Sequence, residues 1–199
     1  MSDLNLKRFV EDYKLKLSET LFKLDNFKLQ KIIQLIELNI KNKKKIFTCG
    51  NGGSASVSNH FLCDFNKGIK LFSKKKFIPK VISLTNSIEN ITAISNDNSF
   101  DNIFENQLEN YMETGDLLCV FSCSGNSKNI LNALKYAKSQ KCKTIAFTGF
   151  HRKKIKNVDI HVDLNIKNYG ISEDIFQSIM HIISQYLKIK YIKDHKGIL

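Results

Sequence analysis

Apolar residues at the start of the chain recur at spacings of three and four. Leu6, Phe9, Val10, Tyr13, Leu17 and Leu21 fall on one side of a helix. A second pattern of the same kind runs from Phe27 to Ile40. Beyond about residue 43 the rhythm changes. Short apolar runs at 45–49, 80–84, 116–121, 144–147 and 159–162 predict strands, and helical spacing fills 55–66, 88–95, 101–112, 129–139 and about 172–192. Short apolar strands alternating with helices predict a parallel sheet covered on both faces. The expected class is α/β, a three-layer doubly wound parallel sheet with leading N-terminal helices. Residues 1–199 read as one domain, helical to about 42 and an α/β core from 43. In such sheets ligands sit in the loops at the carboxyl ends of the strands.

Composition narrows the function classes. No apolar run reaches the roughly 20 residues a membrane span needs. The amphipathic start MSDLNLKRFVEDYKLKL lacks a signal peptide's apolar core. A cytoplasmic protein without a membrane partner is expected. Five cysteines, an odd number without paired spacing, argue against disulfides and zinc knuckles and read as small buried apolar residues. The net charge of +12 invites a nucleic-acid reading. However, Arg8 and Arg152 are the only arginines, and Lys, Asn and Ile are abundant throughout. The basic runs at 43–45, 74–76 and 152–154 fall in predicted loops and read as solvated surface, so no nucleic-acid partner is expected.

Two strand-to-helix loops carry candidate chemistry. The first is Cys49-Gly50-Asn51-Gly52-Gly53-Ser54-Ala55. Its glycines allow a tight turn, and free amides at a helix start welcome an anion. Gly50, Gly52 and Ala55 match a dinucleotide fingerprint, but the next strand ends Ser83-Leu84-Thr85-Asn86, without the carboxylate that would hold a ribose. No nucleotide P-loop is present either, and no nucleotide cofactor is expected. The second loop, Ser122-Cys123-Ser124-Gly125-Asn126-Ser127, places three hydroxyls beside a helix start. With the amides they would make an uncharged phosphate cradle. The plainer readings are a tight turn for the first loop and an N-cap for the second.

Two helices carry polar groups suited to proton transfer. His60 and Asp64, four residues apart, share a face. Glu173, Gln177 and His181 form a polar stripe on a helix otherwise rich in Ile, Phe, Met and Leu. Such a stripe is costly unless it lines a site. A structural His60–Asp64 pair and a satisfied core His181 remain the alternatives. Glu173 and His181 would stand about 12 Å apart along a straight helix. One ion could take both only if Glu173 precedes the helix or comes from another subunit.

The residues Gly50-Asn51-Gly52-Gly53-Ser54-Ala55, a following helix with His60, the 85–97 stretch ending Ser95-Asn96-Asp97, and Ser122-x-Ser124-Gly125-Asn126-Ser127 together resemble the SIS (sugar isomerase) family. Within it the phosphoheptose isomerases are most similar, over nearly the whole chain. The resemblance implies isomerisation of sedoheptulose 7-phosphate to glycero-manno-heptose 7-phosphate through an enediol, in a homotetramer with sites between subunits. It implies that Ser122, Ser124 and Ser127 hold the phosphate. Asn51, Gly52, Gly53, Ser54, Asp97 and Glu173 would contact the sugar. Asp64 and His181 would be acid and base, and His60, Asp64, Glu173 and His181 could bind zinc. The chain departs from the family at several of these positions. Asp64 stands for a Glu, Glu173 for a Gln, and Lys67-Gly68 where an Arg is expected. These changes cluster around the sugar and leave open another phosphosugar as substrate. A non-catalytic relative resembling the replication-initiator-associating SIS protein is the other alternative; that protein lacks the final-helix histidine, which this chain keeps.

Overall fold

The computed structural model describes residues 5–73, 77–150 and 155–191. The basic runs at 74–76 and 152–154, with His151 and His195, lie outside the described residues. Two helices lead, α1 (Leu6–Phe22) and α2 (Asn26–Lys41). The Asp25 carboxylate accepts from the amides of Phe27 and Lys28 at 2.9 and 3.1 Å, pairing donors that a helix start leaves open. Next come β1 (Ile46–Gly50) and α3 (Gly53–Cys63), which continues through a π-helical stretch (Asp64–Ile69) into the single turn α4 (Lys70–Phe72). β2 (Val81–Ser83), α5 (Ile88–Asp97), a 3-10 turn (Phe100–Asn102) and α6 (Ile103–Tyr111) follow. The chain then alternates through β3 (Leu117–Ser122), α7 (Lys128–Ser139), β4 (Lys143–Thr148) and β5 (Ile160–Asp163), before the long α8 (Tyr169–Tyr191).

Each predicted strand is present, its ends shifted by one residue. Three helix starts differ more, α6 beginning at Ile103 after the 3-10 turn Phe100–Asn102. α8 begins at Tyr169, not near 172, because the Asn168 side chain accepts from the amide of Ile171 at 3.0 Å and starts the helix there. α3 begins at Gly53, because Gly52 turns the chain at φ +56° directly into the helix.

The sheet order is β2-β1-β3-β4-β5, all parallel. The chain leaves β1 for β2 on one side and returns to β3 on the other. The connections after β1 and β3 therefore diverge to opposite faces and open a crevice at the strands' carboxyl ends. Alternation along the strands divides the core. Ile46, Leu117, Cys119, Phe121 and Phe147 pack with α2, α3 and α8 through Ile32, Phe61, Phe65, Ile175 and Ile179. Phe47, Leu118, Val120 and Ala146 pack on the other face with α6 and α7 through Phe104, Leu108, Ile130 and Leu134. This is the expected doubly wound arrangement.

The apolar face of α1 is largely uncovered. Leu6, Phe9, Val10 and Leu21 are exposed, and only Tyr13 and Leu17 reach the core. α2 is tied to α8 through buried Glu37, which accepts from Lys41 and Lys190 at 2.7 Å each and from the Tyr191 hydroxyl. At the sheet's edge Asn66, inside the π-helical stretch, clips the backbone of Val81. Its Nδ2 donates to Val81 O at 2.8 Å, and its Oδ1 accepts from Val81 N at 2.9 Å. Four cysteines are buried, as expected of small apolar residues. Cys63 is the correction: it falls on the solvent side of α3 and is exposed. Among the described residues no helix is long and apolar enough to cross a membrane.

Candidate active site

The crevice is built by the two loops at the switch point. A side chain at position 50 would place its Cβ 2.6 Å from the carbonyl oxygen of Ser54, so only glycine lets the loop close on the helix. In the serine loop Gly125 takes φ +65°. Its amide donates to both the carbonyl and the hydroxyl oxygen of Ser122, at 3.0 and 3.2 Å. Ser124 Oγ accepts from the amide of Asn126 at 3.3 Å. Ser127 stands at the N-cap of α7 but makes no side-chain cap bond, so a capping role does not account for its hydroxyl. Within this loop Ser122 and Cys123 are buried.

A cleft of about 360 Å³ lies between the loops. Asn51, Gly52, Gly53, Ser54, Ser122, Ser124, Ser127 and Glu173 all line it, together with Cys123 and Tyr169. Asp97 does not. It lies exposed at the end of α5, accepting from the Asn96 amide at 2.8 Å. Glu173 is the one charged residue of the lining. It accepts from Ser54 Oγ at 3.3 Å, and a Cβ at Gly53 would come within 2.1 Å of its Oε2. Burial pushes the Cys123 thiol up to about 11, despite a hydrogen bond from Ser54. It is therefore an uncharged wall of the cleft at neutral pH.

A second group lies further along the same seam. Ser54 meets Glu173, His60 meets His181, and Asp64 meets Ser184, so α3 and α8 run side by side in the same direction. His60 Nε2 and His181 Nε2 are 3.1 Å apart. Asp64 reaches both, Oδ1 at 3.5 Å from His60 Nε2 and Oδ2 at 3.8 Å from His181 Nε2. Buried Ser184 donates to Asp64 Oδ2 at 3.2 Å. The ligand atoms of His60, Asp64 and His181 all lie within 4.8 Å of one another. Two imidazoles and a carboxylate converging so closely suit a shared proton or a divalent ion. From Ser54 to His60 is six residues of helix, a separation of about 9 Å.

The arrangement corrects one expected ligand. Glu173 lies inside α8, not before it, and faces Ser54 rather than the histidines. Within one chain it belongs to the cleft, while the cluster consists of His60, Asp64 and His181. The structural reading of His60 and Asp64 as an isolated pair also changes, since His181 completes it. Three neighbours were not singled out from the sequence. Asn129 pairs with Asn51, and Cys123 and Tyr169 line the cleft. Only the polar stripe signalled Gln177, whose Nε2 lies 3.0 Å from His181 Nε2.

The SIS domain family profile matches residues 9–149. The phosphoheptose isomerase of Buchnera aphidicola subsp. Acyrthosiphon pisum (strain Tuc7) is 35% identical over an alignment of 181 residues that covers 89% of this chain and 86% of that protein. The solved phosphoheptose isomerase of Neisseria gonorrhoeae superposes with a TM-score of 0.82 at 25% identity, covering 92% of this chain and 98% of that one. The fold is also that of the Francisella tularensis phosphoheptose isomerase, with a TM-score of 0.81, 23% identity, and 92% and 96% of the two chains covered. The chain belongs to the SIS domain family, in its group of phosphosugar isomerases that are similar to the phosphoheptose isomerases.

Proposed function

We propose that this isomerase interconverts sedoheptulose 7-phosphate and glycero-manno-heptose 7-phosphate through an enediol. The observation that carries the reading is the shared seam of α3 and α8. It joins a hydroxyl-lined cleft at one end to the His60–Asp64–His181 cluster at the other. The phosphate sits among Ser122, Ser124, Ser127 and the amides of the two helix starts, which favour an anion without any cation in the lining. Asn51, Ser54 and Glu173 take the sugar hydroxyls. The reacting carbons then lie about two helical turns away, beside Asp64 and His181.

Isomerisation moves one proton between adjacent carbons. A base takes the proton from the carbon bearing hydroxyl, an acid protonates the carbonyl oxygen, and the enediol collapses in the opposite sense. Asp64 and His181, facing each other, serve as that pair, and Ser184 holds the Asp64 carboxylate by its hydrogen bond. Zinc fits the donor set His60, Asp64 and His181 in place of their shared proton, and when bound it would polarise the carbonyl oxygen instead of an acid. The chain acts as one unit of a homotetramer, in which the exposed apolar residues of α1 find cover. The similarity to phosphoheptose isomerases and this geometry support the substrate.

The test is proton NMR in deuterated water with sedoheptulose 7-phosphate, beside C5 and C6 sugar phosphates. Solvent deuterium entering C1 or C2 of the heptose phosphate, faster than in the others, is the expected result. Exchange confined to a shorter sugar overturns the heptose assignment, and no exchange with any of them overturns the isomerase mechanism.

A further inference from the structure

We propose that Gln177 is the fourth ligand of a divalent ion held by His60, Asp64 and His181, reached by a half-turn of its carboxamide. The inference rests on the reading of that cluster as a metal site. Gln177 Nε2 lies 3.0 Å from His181 Nε2, and the same His181 nitrogen is 3.1 Å from His60 Nε2. His181 Nε2 thus has two polar neighbours within hydrogen-bond reach, while one ring nitrogen has a single proton or a single lone pair to offer them. The two compete for that one position, while the Asp64 carboxylate stands 3.5 and 3.8 Å from the two imidazole nitrogens. A cation among them removes the conflict by accepting both imidazole lone pairs.

The carboxamide of Gln177 then has to present its other end. Oxygen and nitrogen of a carboxamide are nearly the same size, so a half-turn puts Oε1 where Nε2 was, with no other atom moved. The distances suit the exchange. Tetrahedral zinc with bonds near 2.0–2.2 Å spaces its ligand atoms about 3.4 Å apart. Four of the six pair separations among these groups are 3.0, 3.1, 3.5 and 3.8 Å, on either side of that value. Gln177 and His181 are one helical turn apart, the spacing that puts two ligands on one face.

The family resemblance pointed instead to Glu173. That residue is occupied at the cleft with Ser54, and Gln177 is the next member of the same stripe. The substitution changes the charge at the centre. With a neutral amide in place of a second carboxylate, a dication keeps one net positive charge. It is then a stronger electrophile toward a carbonyl oxygen than a fully neutralised ion.

Three proteins decide it: the unmodified chain, Gln177→Leu and Gln177→Glu, with circular dichroism and melting as checks on folding. Zinc affinity is measured by competition with a chromophoric chelator, and coordination by the visible spectrum of bound Co²⁺. Gln177→Leu is expected to bind zinc about 10- to 100-fold more weakly, with a Co²⁺ band altered by water in the vacated position. Gln177→Glu is expected to hold zinc at least as tightly as the unmodified chain. If Gln177 merely bonded to His181, the Co²⁺ band of Gln177→Leu would match that of the unmodified chain. That result overturns the proposal, as does equal affinity in Gln177→Leu and the unmodified chain. If instead the unmodified chain takes up no zinc that His181→Ala removes, the metal reading of the cluster falls and the Gln177 assignment with it.

Discussion

The carboxamides of Asn51 and Asn129 face each other as a reciprocal pair, each Nδ2 donating to the other's Oδ1 at 3.0 Å. The pair bolts the glycine loop to the first turn of α7, so the two halves of the cleft are fixed relative to each other. Asn129 is buried, and its removal leaves the Asn51 amide without its partner. Asn129→Ala is expected to cost about 1–3 kcal/mol in urea unfolding. It should also raise KM for the sugar phosphate more than it lowers kcat. An unchanged KM would show that the loops hold their places without the pair.

Ser124→Ala with Ser127→Ala should weaken sugar-phosphate binding strongly. Each hydrogen bond to a charged group contributes roughly 1.5–3 kcal/mol. Calorimetry with the substrate and with inorganic phosphate measures the loss, and an affinity equal to the unmodified protein's removes the phosphate cradle. Ser122→Ala differs. Its oxygen caps the amide of Gly125, so a drop in melting temperature should accompany the weaker binding.

Gly53→Ala tests how tightly Glu173 is seated. The added methyl would lie 2.1 Å from Glu173 Oε2, inside any permitted contact. The carboxylate must swing away from Ser54, and binding of the sugar end is expected to suffer. Combining Gly53→Ala with Glu173→Ala should recover the lost stability but not the binding, a coupling that a double-mutant cycle reads directly. Equal destabilisation in both backgrounds contradicts the contact.

Asp64→Asn and His181→Ala should each lower kcat by about 10²–10⁴-fold while leaving phosphate binding intact. The control is Asp64→Glu. If the shorter side chain is matched to the distances at His60 and His181, the longer one impairs turnover even though the charge is kept. Wild-type exchange of solvent deuterium by His181→Ala would remove it from the mechanism.

Glu37 predicts an acid limit to stability. Burial alone would raise its pKa, but hydrogen bonds from Lys190, Lys41 and Tyr191 prevail and hold it at about 2. A depressed carboxylate stabilises the fold above its unfolded pKa near 4.3 and loses that contribution as pH falls toward 2. The loss is on the order of 2 kcal/mol after allowing for solvent at the two lysines. Urea unfolding at intervals between pH 5 and 2 should show a fall in stability that Glu37→Gln largely lacks. Parallel pH profiles for the two proteins would assign the fall to other groups.

Short apolar runs set between helical patterns placed the strands within a residue of their ends, because burial on both sheet faces leaves little freedom there. The cleft was legible too, since its residues cluster in two short loops with distinctive glycine and serine spacing. What the sequence hid was whatever depends on helix phase and side-chain reach. Glu173 and His181 share a stripe, yet one turns to Ser54 and the other to His60. Asn129 looked like any polar residue in a first turn, because its partner is 78 positions away. Asp64 opens a π-helical stretch, and no apolar periodicity announces the extra residue such a stretch accommodates.

The Asn66 clip has a consequence for how the protein behaves at high concentration. β2 is an edge strand, and its outward-pointing backbone groups offer a template on which another chain could add a strand. Asn66 occupies both groups of Val81, in a strand only three residues long, so almost nothing is left for a stranger to pair with. Replacing Asn66 with leucine would uncover that template next to the exposed apolar side chain of Ile78. The expected outcome is the formation of thioflavin-positive aggregates on storage, with the His60–Asp64–His181 cluster still correctly assembled in the fraction that stays in solution.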